Sequence, residues 1–196
     1  YFNGVAEGDN HQHPDLLRYI MEANGTIISI DAGYGKDGFS DSKRTWYTAP
    51  YAHNIVTTDS AAPYDMSVNI PPADKHFIMN PAADYAEKQT KTKINGGSIK
   101  RGILFPHKKY WVIFDAAGSN IPANYRLYLH NRGTFAAMGD DYTWTTPSDI
   151  FGIPQKLYTT VLGNESKTTT VKSGYTSLWK DEVVHTYLEI KQTRDT

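Results

Sequence analysis

Cysteine is absent from all 196 residues. That excludes a disulfide framework and thiolate metal ligands, so any metal would have to be held by histidine and carboxylate. No run approaches the ~18 apolar residues of a transmembrane helix, and no secretory signal pattern is present. An excess of one charge is also missing. Twenty Lys and Arg against 21 Asp and Glu leave a net charge of −1 and a pI near 6.7. No global basic field therefore points to nucleic acid, and a polyanion would need a local cluster. Neither a nucleic-acid nor a membrane partner is expected. Internal repeats, heptads and low-complexity tracts are lacking too. The chain starts at Tyr1-Phe2-Asn3-Gly4 without an initiator methionine. It is expected to be a piece of a longer protein, so the missing signal does not locate the parent. Asn24-Gly25-Thr26 and Asn164-Glu165-Ser166 fit the N-glycosylation pattern.

Aromatic residues are plentiful, at 13% with 14 tyrosines. Two readings follow: an all-β core, because aromatic side chains suit a pleated surface, or a surface on which pyranose rings stack. Short β-like runs punctuated by Gly, Pro, Asn and Asp dominate. Candidate strands fall at residues 16–22, 26–31, 54–59, 89–94, 98–105, 110–115, 126–130, 157–162, 168–172 and 183–191. Asn24-Gly25 and Asn95-Gly96-Gly97 read as hairpin turns, and His107-Lys108-Lys109 as a hairpin tip. Residues 15–23 are ambiguous, because Pro14-Asp15-Leu16 also suits a helical first turn; the Asn-Gly turn that follows favours a strand. The apolar run 110–114 suits a strand buried on both faces. Turn formers concentrate at 34–42, 60–74 and 136–153, which read as loops. The length and pattern predict a single domain, 1–196, folded as an antiparallel β-sandwich.

Chemistry concentrates near the beginning. His11 and His13 lie in Asp9-Asn10-His11-Gln12-His13-Pro14-Asp15, Asp31 ends a predicted strand, and His53-Asn54 opens another. His, Asp and His without cysteine form a nitrogen/oxygen donor set that suits zinc or a similar divalent ion. Asp15 is a candidate acceptor that would orient a ligand histidine.

Three pieces recur in a fixed order: His11-Gln12-His13-Pro14-Asp15, then Asp31-Ala32-Gly33-Tyr34, then Ala52-His53-Asn54-Ile55-Val56. Over roughly the first 60 residues this order resembles the heparinase II/III-like polysaccharide lyases. The resemblance implies the C-terminal β-domain of a lyase whose N-terminal α/α toroid is missing from this chain. It implies cleavage of uronic-acid-containing polysaccharides such as glycosaminoglycans or alginate by β-elimination. In that reaction a base removes the C5 proton, the uronate carboxylate is neutralised, and an acid protonates the departing O4. It implies that His11 enters the catalytic cleft, while His13, Asp31 and His53 hold a structural metal, most simply Zn2+. A catalytic tyrosine is expected in the loop holding Tyr34, Tyr47 and Tyr51, with Tyr34 favoured because it directly follows Asp-x-Gly. A periplasmic or secreted location follows from the same resemblance. Without the toroid, little or no lyase activity is expected from these residues alone.

Arg44 is a candidate for binding a uronate or sulfate, since a guanidinium matches a carboxylate bidentately, and Tyr47 is a candidate substrate contact beside it. His11 and His13 lie two residues apart, so an extended segment would point them to one face; their separate roles require a turn near Pro14. Two other functions fit parts of the pattern. One is a non-catalytic carbohydrate-binding β-sandwich using Trp46, Trp144 or Trp179. The other is a cupin-like His/Asp metal enzyme, which leaves His-Asn-x-Val unexplained.

Overall fold

The computed structural model describes residues 13, 15–37, 40–59, 76–91, 97–148, 152–163, 166–177 and 182–194. Among them the chain is almost wholly antiparallel β, as the alternating runs predict. Strands β1 (Met21–Ala23) and β2 (Thr26–Ser29) form a hairpin. Its turn residues, Asn24 and Gly25, take φ of 50° and 73°, the left-handed pair that a two-residue hairpin needs. A one-turn helix, α1 (Arg44–Tyr47), and a 3-10 turn (Pro50–Ala52) lead into β3 (Val56–Thr58).

Three further strand systems follow. Strands β4 (His76–Met79), β5 (Ala83–Lys91), β6 (Ser98–Pro106) and β7 (Val112–Gly118) form one sheet in sequence order. His107 and Lys108, both at positive φ, make the tip between β6 and β7. After β8 (Ala123–His130), strands β9 (Thr134–Met138), β10 (Asp141–Ser148) and β11 (Pro154–Thr160) form a three-stranded meander. The last strands, β12 (Lys167–Thr176) and β13 (Val183–Arg194), complete a sheet ordered β12-β13-β8-β3.

Two apolar clusters tie these layers together. Tyr19, Met21 and Ile28 of the first hairpin region meet Leu129, Leu188 and Ile190 of the β12–β3 sheet, and Tyr142 and Trp144 of β10. Leu16 and Leu17 pack with Val56 of β3 and Ile99 of β6. Burying each such side chain contributes roughly 1.5–3 kcal/mol, so the chain preceding β1 is pinned although it has little regular structure. Backbone bonds extend this anchoring. Ile30 N–H donates to the His130 carbonyl (3.0 Å), and Arg132 N–H to that of Ile28 (2.9 Å), so β2 continues off the end of β8.

Three expectations differ from the outcome. Residues 136–153 are no loop: β10 runs through them, with Tyr142, Trp144 and Thr146 buried at alternate positions between turn-forming neighbours. The apolar run 110–114 is not buried on both faces. It feeds β7, an edge strand, and Val112 and Phe114 are 40% and 41% exposed. Residues 16–22 form neither a long strand nor a helix. Arg18 N–H closes on the Asp15 carbonyl (3.0 Å) in a turn whose third residue, Leu17, has φ of 69°. The Asn95-Gly96 turn lies outside the described residues.

Candidate metal centre

Burial draws separate chain segments to one point. Leu16 and Leu17 enter the core and hold the loop that carries His13 and Asp15. Asp31 leaves the end of β2, and His53 follows the 3-10 turn that Pro50 begins. All four side chains are buried, and His53 is wholly inaccessible. Donor atoms of His13, Asp15 and His53 lie within 4.8 Å of one another. Ligands around a tetrahedral zinc, with bonds of about 2.0–2.1 Å, would lie ~3.3 Å apart, so a small inward movement would complete such a site.

Asp31 serves this cluster from the side. Its Oδ2 is 2.8 Å from His53 Nδ1, while Oδ1 accepts from Arg18 Nη1 (3.0 Å) and the Gly33 N–H (3.1 Å). Arg18 Nη1 also pairs with Asp15, so one guanidinium bridges both carboxylates. A carboxylate at Nδ1 favours the tautomer with its proton on that nitrogen. The lone pair is then on Nε2, and this buried atom has no hydrogen-bond partner. A lone pair left unmatched in the interior is costly, and a bound cation would satisfy it. The donor chemistry and this orphaned nitrogen both fit a divalent metal.

The electrostatics agree. Burial, followed by the charge of His53, pushes the His13 imidazole down to about 4, so it is neutral near pH 7, as a ligand must be. Burial raises the Asp15 carboxyl, against the opposing pull of His53 and Arg18. Burial works the same way on Asp31, but the charge and hydrogen bond of His53, with Arg18 and the Gly33 N–H, outweigh it and hold Asp31 far below the usual carboxylate range.

The other sequence candidates separate by exposure. Tyr34 is 43% exposed, and its ring lies against that of His13 with centroids 4.3 Å apart. It therefore sits at the rim of the centre, partly exposed. Arg44 is half-buried, and its charge is one of those lowering His13. Tyr47 is corrected as a substrate contact: its ring is completely buried and its hydroxyl donates to Glu182 Oε2 (3.0 Å), leaving nothing to meet a polymer. Tyr51 is exposed and packs on Trp46. Trp144 belongs to the core, not to a sugar-binding surface. His11, Pro14 and Trp179 lie outside the described residues.

Asn54 explains why His53 is followed by asparagine. Wholly buried, it donates from Nδ2 to the carbonyls of Ile30 (2.6 Å) and Tyr19 (3.2 Å) and accepts at Oδ1 from the His130 N–H (2.6 Å). One side chain thus ties the segment between β2 and Asp31, the chain before β1, and β8 to the residue beside His53. His130 itself is a satisfied core histidine. Its Nε2 donates to the Tyr51 carbonyl (2.9 Å), and its Nδ1 accepts from His185 Nε2 (2.8 Å). Sequence reasoning gave Arg18, Arg101 and His185 no role. The partners of Arg101 and His185 are distant in the chain, and Arg18 joins its near neighbour Asp15 to the more distant Asp31, a bridge that no local pattern signals.

No protein-family model matches the chain, and no curated protein sequence does. Solved structures do. Heparan sulfate lyase HepC from Pedobacter heparinus superposes with a TM-score of 0.82 at 16% identity, covering 100% of this chain and 30% of that one. The fold is that of a heparinase β-domain. The Heparinase III-BT4657 gene product gives a TM-score of 0.77 at 19% identity over 97% of this chain and 29% of its own. A further heparinase III gives 0.76 at 13% identity, over 96% and 28%. The chain spans about 30% of the length of these heparinases.

Proposed function

We propose that this chain is the β-domain of a polysaccharide lyase that cleaves uronic-acid-containing glycans by β-elimination, with a divalent cation as a structural fixture beside the cleft. What carries the reading is the exposed Tyr34 ring tilted against His13 of a buried His/carboxylate cluster, within a fold shared with heparan sulfate lyase. Tyr34, partly exposed beside His13, serves as the acid or base toward the sugar. His11, two residues before His13, is the second cleft group, and Arg44 offers a guanidinium to a uronate or sulfate. An α/α toroid supplies the opposite wall, and an acidic polysaccharide lies between the two. The protein acts in the periplasm or outside the cell.

The cation, taken as Zn2+, is held by His13, His53 Nε2 and Asp15, with Asp31 fixing the tautomer of His53. It would neutralise buried carboxylates and stiffen the loop that leads to the cleft. A second assignment makes Asp31 the carboxylate ligand, as the sequence resemblance implies. The contact at His53 Nδ1 favours it, because a cation entering there would meet Asp31 Oδ2. Metal content of the purified full-length protein decides between them. His13→Ala and His53→Ala are expected to lose the ion. Asp15→Asn losing it while Asp31→Asn only weakens binding, by about 10–100-fold, supports the first assignment; the reverse order supports the second. Activity is read as the ultraviolet absorbance of the unsaturated uronate product on heparan sulfate and alginate. Tyr34→Phe is expected to lower kcat with the metal retained. Wild-type protein without bound metal would sink the cation reading, and full activity in Tyr34→Phe would sink the assignment of that tyrosine.

A further inference from the structure

Arg101 lies in β6, in a sheet that contributes no donor to the centre, yet it is completely buried. Its Nε and Nη2 grip Asp115 of β7 bidentately at 2.6 and 2.9 Å, and its guanidinium covers the Tyr19 ring at 5.2 Å. A buried cation needs such a counter-charge, and Asp115 supplies it. The remaining nitrogen does something else. Nη1 donates to two backbone carbonyls, those of Leu17 (2.8 Å) and Asn54 (2.5 Å). Leu17 comes two residues after Asp15, and Asn54 directly follows His53. One nitrogen thus joins the loop bearing His13 and Asp15 to the segment bearing His53.

We propose that Arg101 is a positioning residue of the metal centre, setting the distance between these two donor-bearing segments. The backbone at Leu17 is a second observation for this role. Its φ of 69° lies in the left-handed region that disfavours a leucine, so the turn needs outside support to persist. Burial of the leucine side chain holds one end of the residue, and the Arg101 bond holds its carbonyl. Lysine cannot replace this geometry, because a single ammonium cannot grip Asp115 at two points and also reach both carbonyls. Arg18 bridges the carboxylates from within the site; Arg101 spaces their backbones from behind.

The inference rests on the cation reading, and the test separates the two. Zinc affinity of the full-length protein is measured by competition with a chromophoric chelator, and the cobalt-substituted absorption spectrum reports donor geometry. Arg101→Lys is expected to weaken zinc by about 10–100-fold and to alter the cobalt spectrum. Leu188→Ala, in the cluster formed with Trp144 and outside both donor-bearing segments, serves as the stability control. It should lower the urea midpoint while leaving zinc affinity and spectrum unchanged. Asp115→Glu keeps the ion pair but displaces the guanidinium by a methylene, so it tests the idea even where Arg101→Lys fails to fold; weaker zinc binding is expected. Wild-type affinity and spectrum in Arg101→Lys or Asp115→Glu would overturn the proposal. Zinc loss that merely tracks stability, equal in Leu188→Ala, would overturn it too. Wild-type protein that binds no zinc would instead overturn the cation reading beneath it.

Discussion

Replacing Asn54 by alanine removes a side chain with no solvent contact, so each partner it leaves must find another bond or stay unmatched. The His130 N–H loses its acceptor at 2.6 Å, in a position where His130 is itself inaccessible. An orphaned buried donor costs about 1–3 kcal/mol. The Ile30 carbonyl loses a donor at 2.6 Å and the Tyr19 carbonyl one at 3.2 Å. Carbonyls tolerate under-satisfaction better than amides, so together they add about 1–2 kcal/mol. The contacts to Ser29 Oγ (3.3 Å) and the His130 carbonyl (3.5 Å) are too long to add much. Asn54→Ala is therefore expected to destabilise the protein by about 2–5 kcal/mol, measured as the shift in urea midpoint at constant m. Asn54→Asp should be no better. It keeps an acceptor for the His130 N–H, but it turns a carboxylate oxygen toward the Ile30 and Tyr19 carbonyls. A shift within about 0.5 kcal/mol for Asn54→Ala, the range of ordinary surface substitutions, would refute the view that this residue is a structural hub.

Other outcomes follow from the same structure. Burial holds the His185 imidazole down to about 4 and His130 well below its ordinary value, so the unfolded chain takes up protons first as pH falls. Their stabilisation is complete above about pH 6.5 and is lost progressively below it; for His185 alone the loss is about 2 kcal/mol by pH 5. Urea titrations at pH 8 and pH 5 should show this loss, and a stability unchanged between them would contradict the burial of the pair. Gly174→Ala would place a Cβ 2.3 Å from Trp46 Cζ2. A cost of about 1–3 kcal/mol and altered tryptophan fluorescence are expected, because the ring edge occupies the space over Gly174 that a side chain would fill; unchanged stability and emission would mean the ring packs elsewhere.

Much of this protein was legible before any fold was known. Alternation and turn residues marked most strands, because a pleated surface repeats every two residues and a two-residue hairpin demands residues tolerant of positive φ. Asn24-Gly25 shows the second point directly. Where the pattern was diluted, reading failed. Tyr142 and Trp144 alternate inward, but glycine, aspartate and proline around them imitate a loop. The run at 110–114 looked central because apolar content does not reveal whether a neighbouring strand covers it. Its position at a sheet edge is a property of the topology.

The candidate centre divides in the same way. Histidine and aspartate were visible as a nitrogen/oxygen donor set because a ligand must be a particular residue type, and residue types are what a sequence displays. Only the tertiary structure set Asp15 beside His13 and His53 and turned Asp31 to His53 Nδ1. It buried Tyr47 while leaving Tyr34 open at the rim. Arg101 reaches carbonyls 84 and 47 residues away. Those bonds are made to backbone atoms, which every residue possesses, so no side-chain pattern encodes them and only packing of the Arg101 sheet against these two irregular segments brings them together.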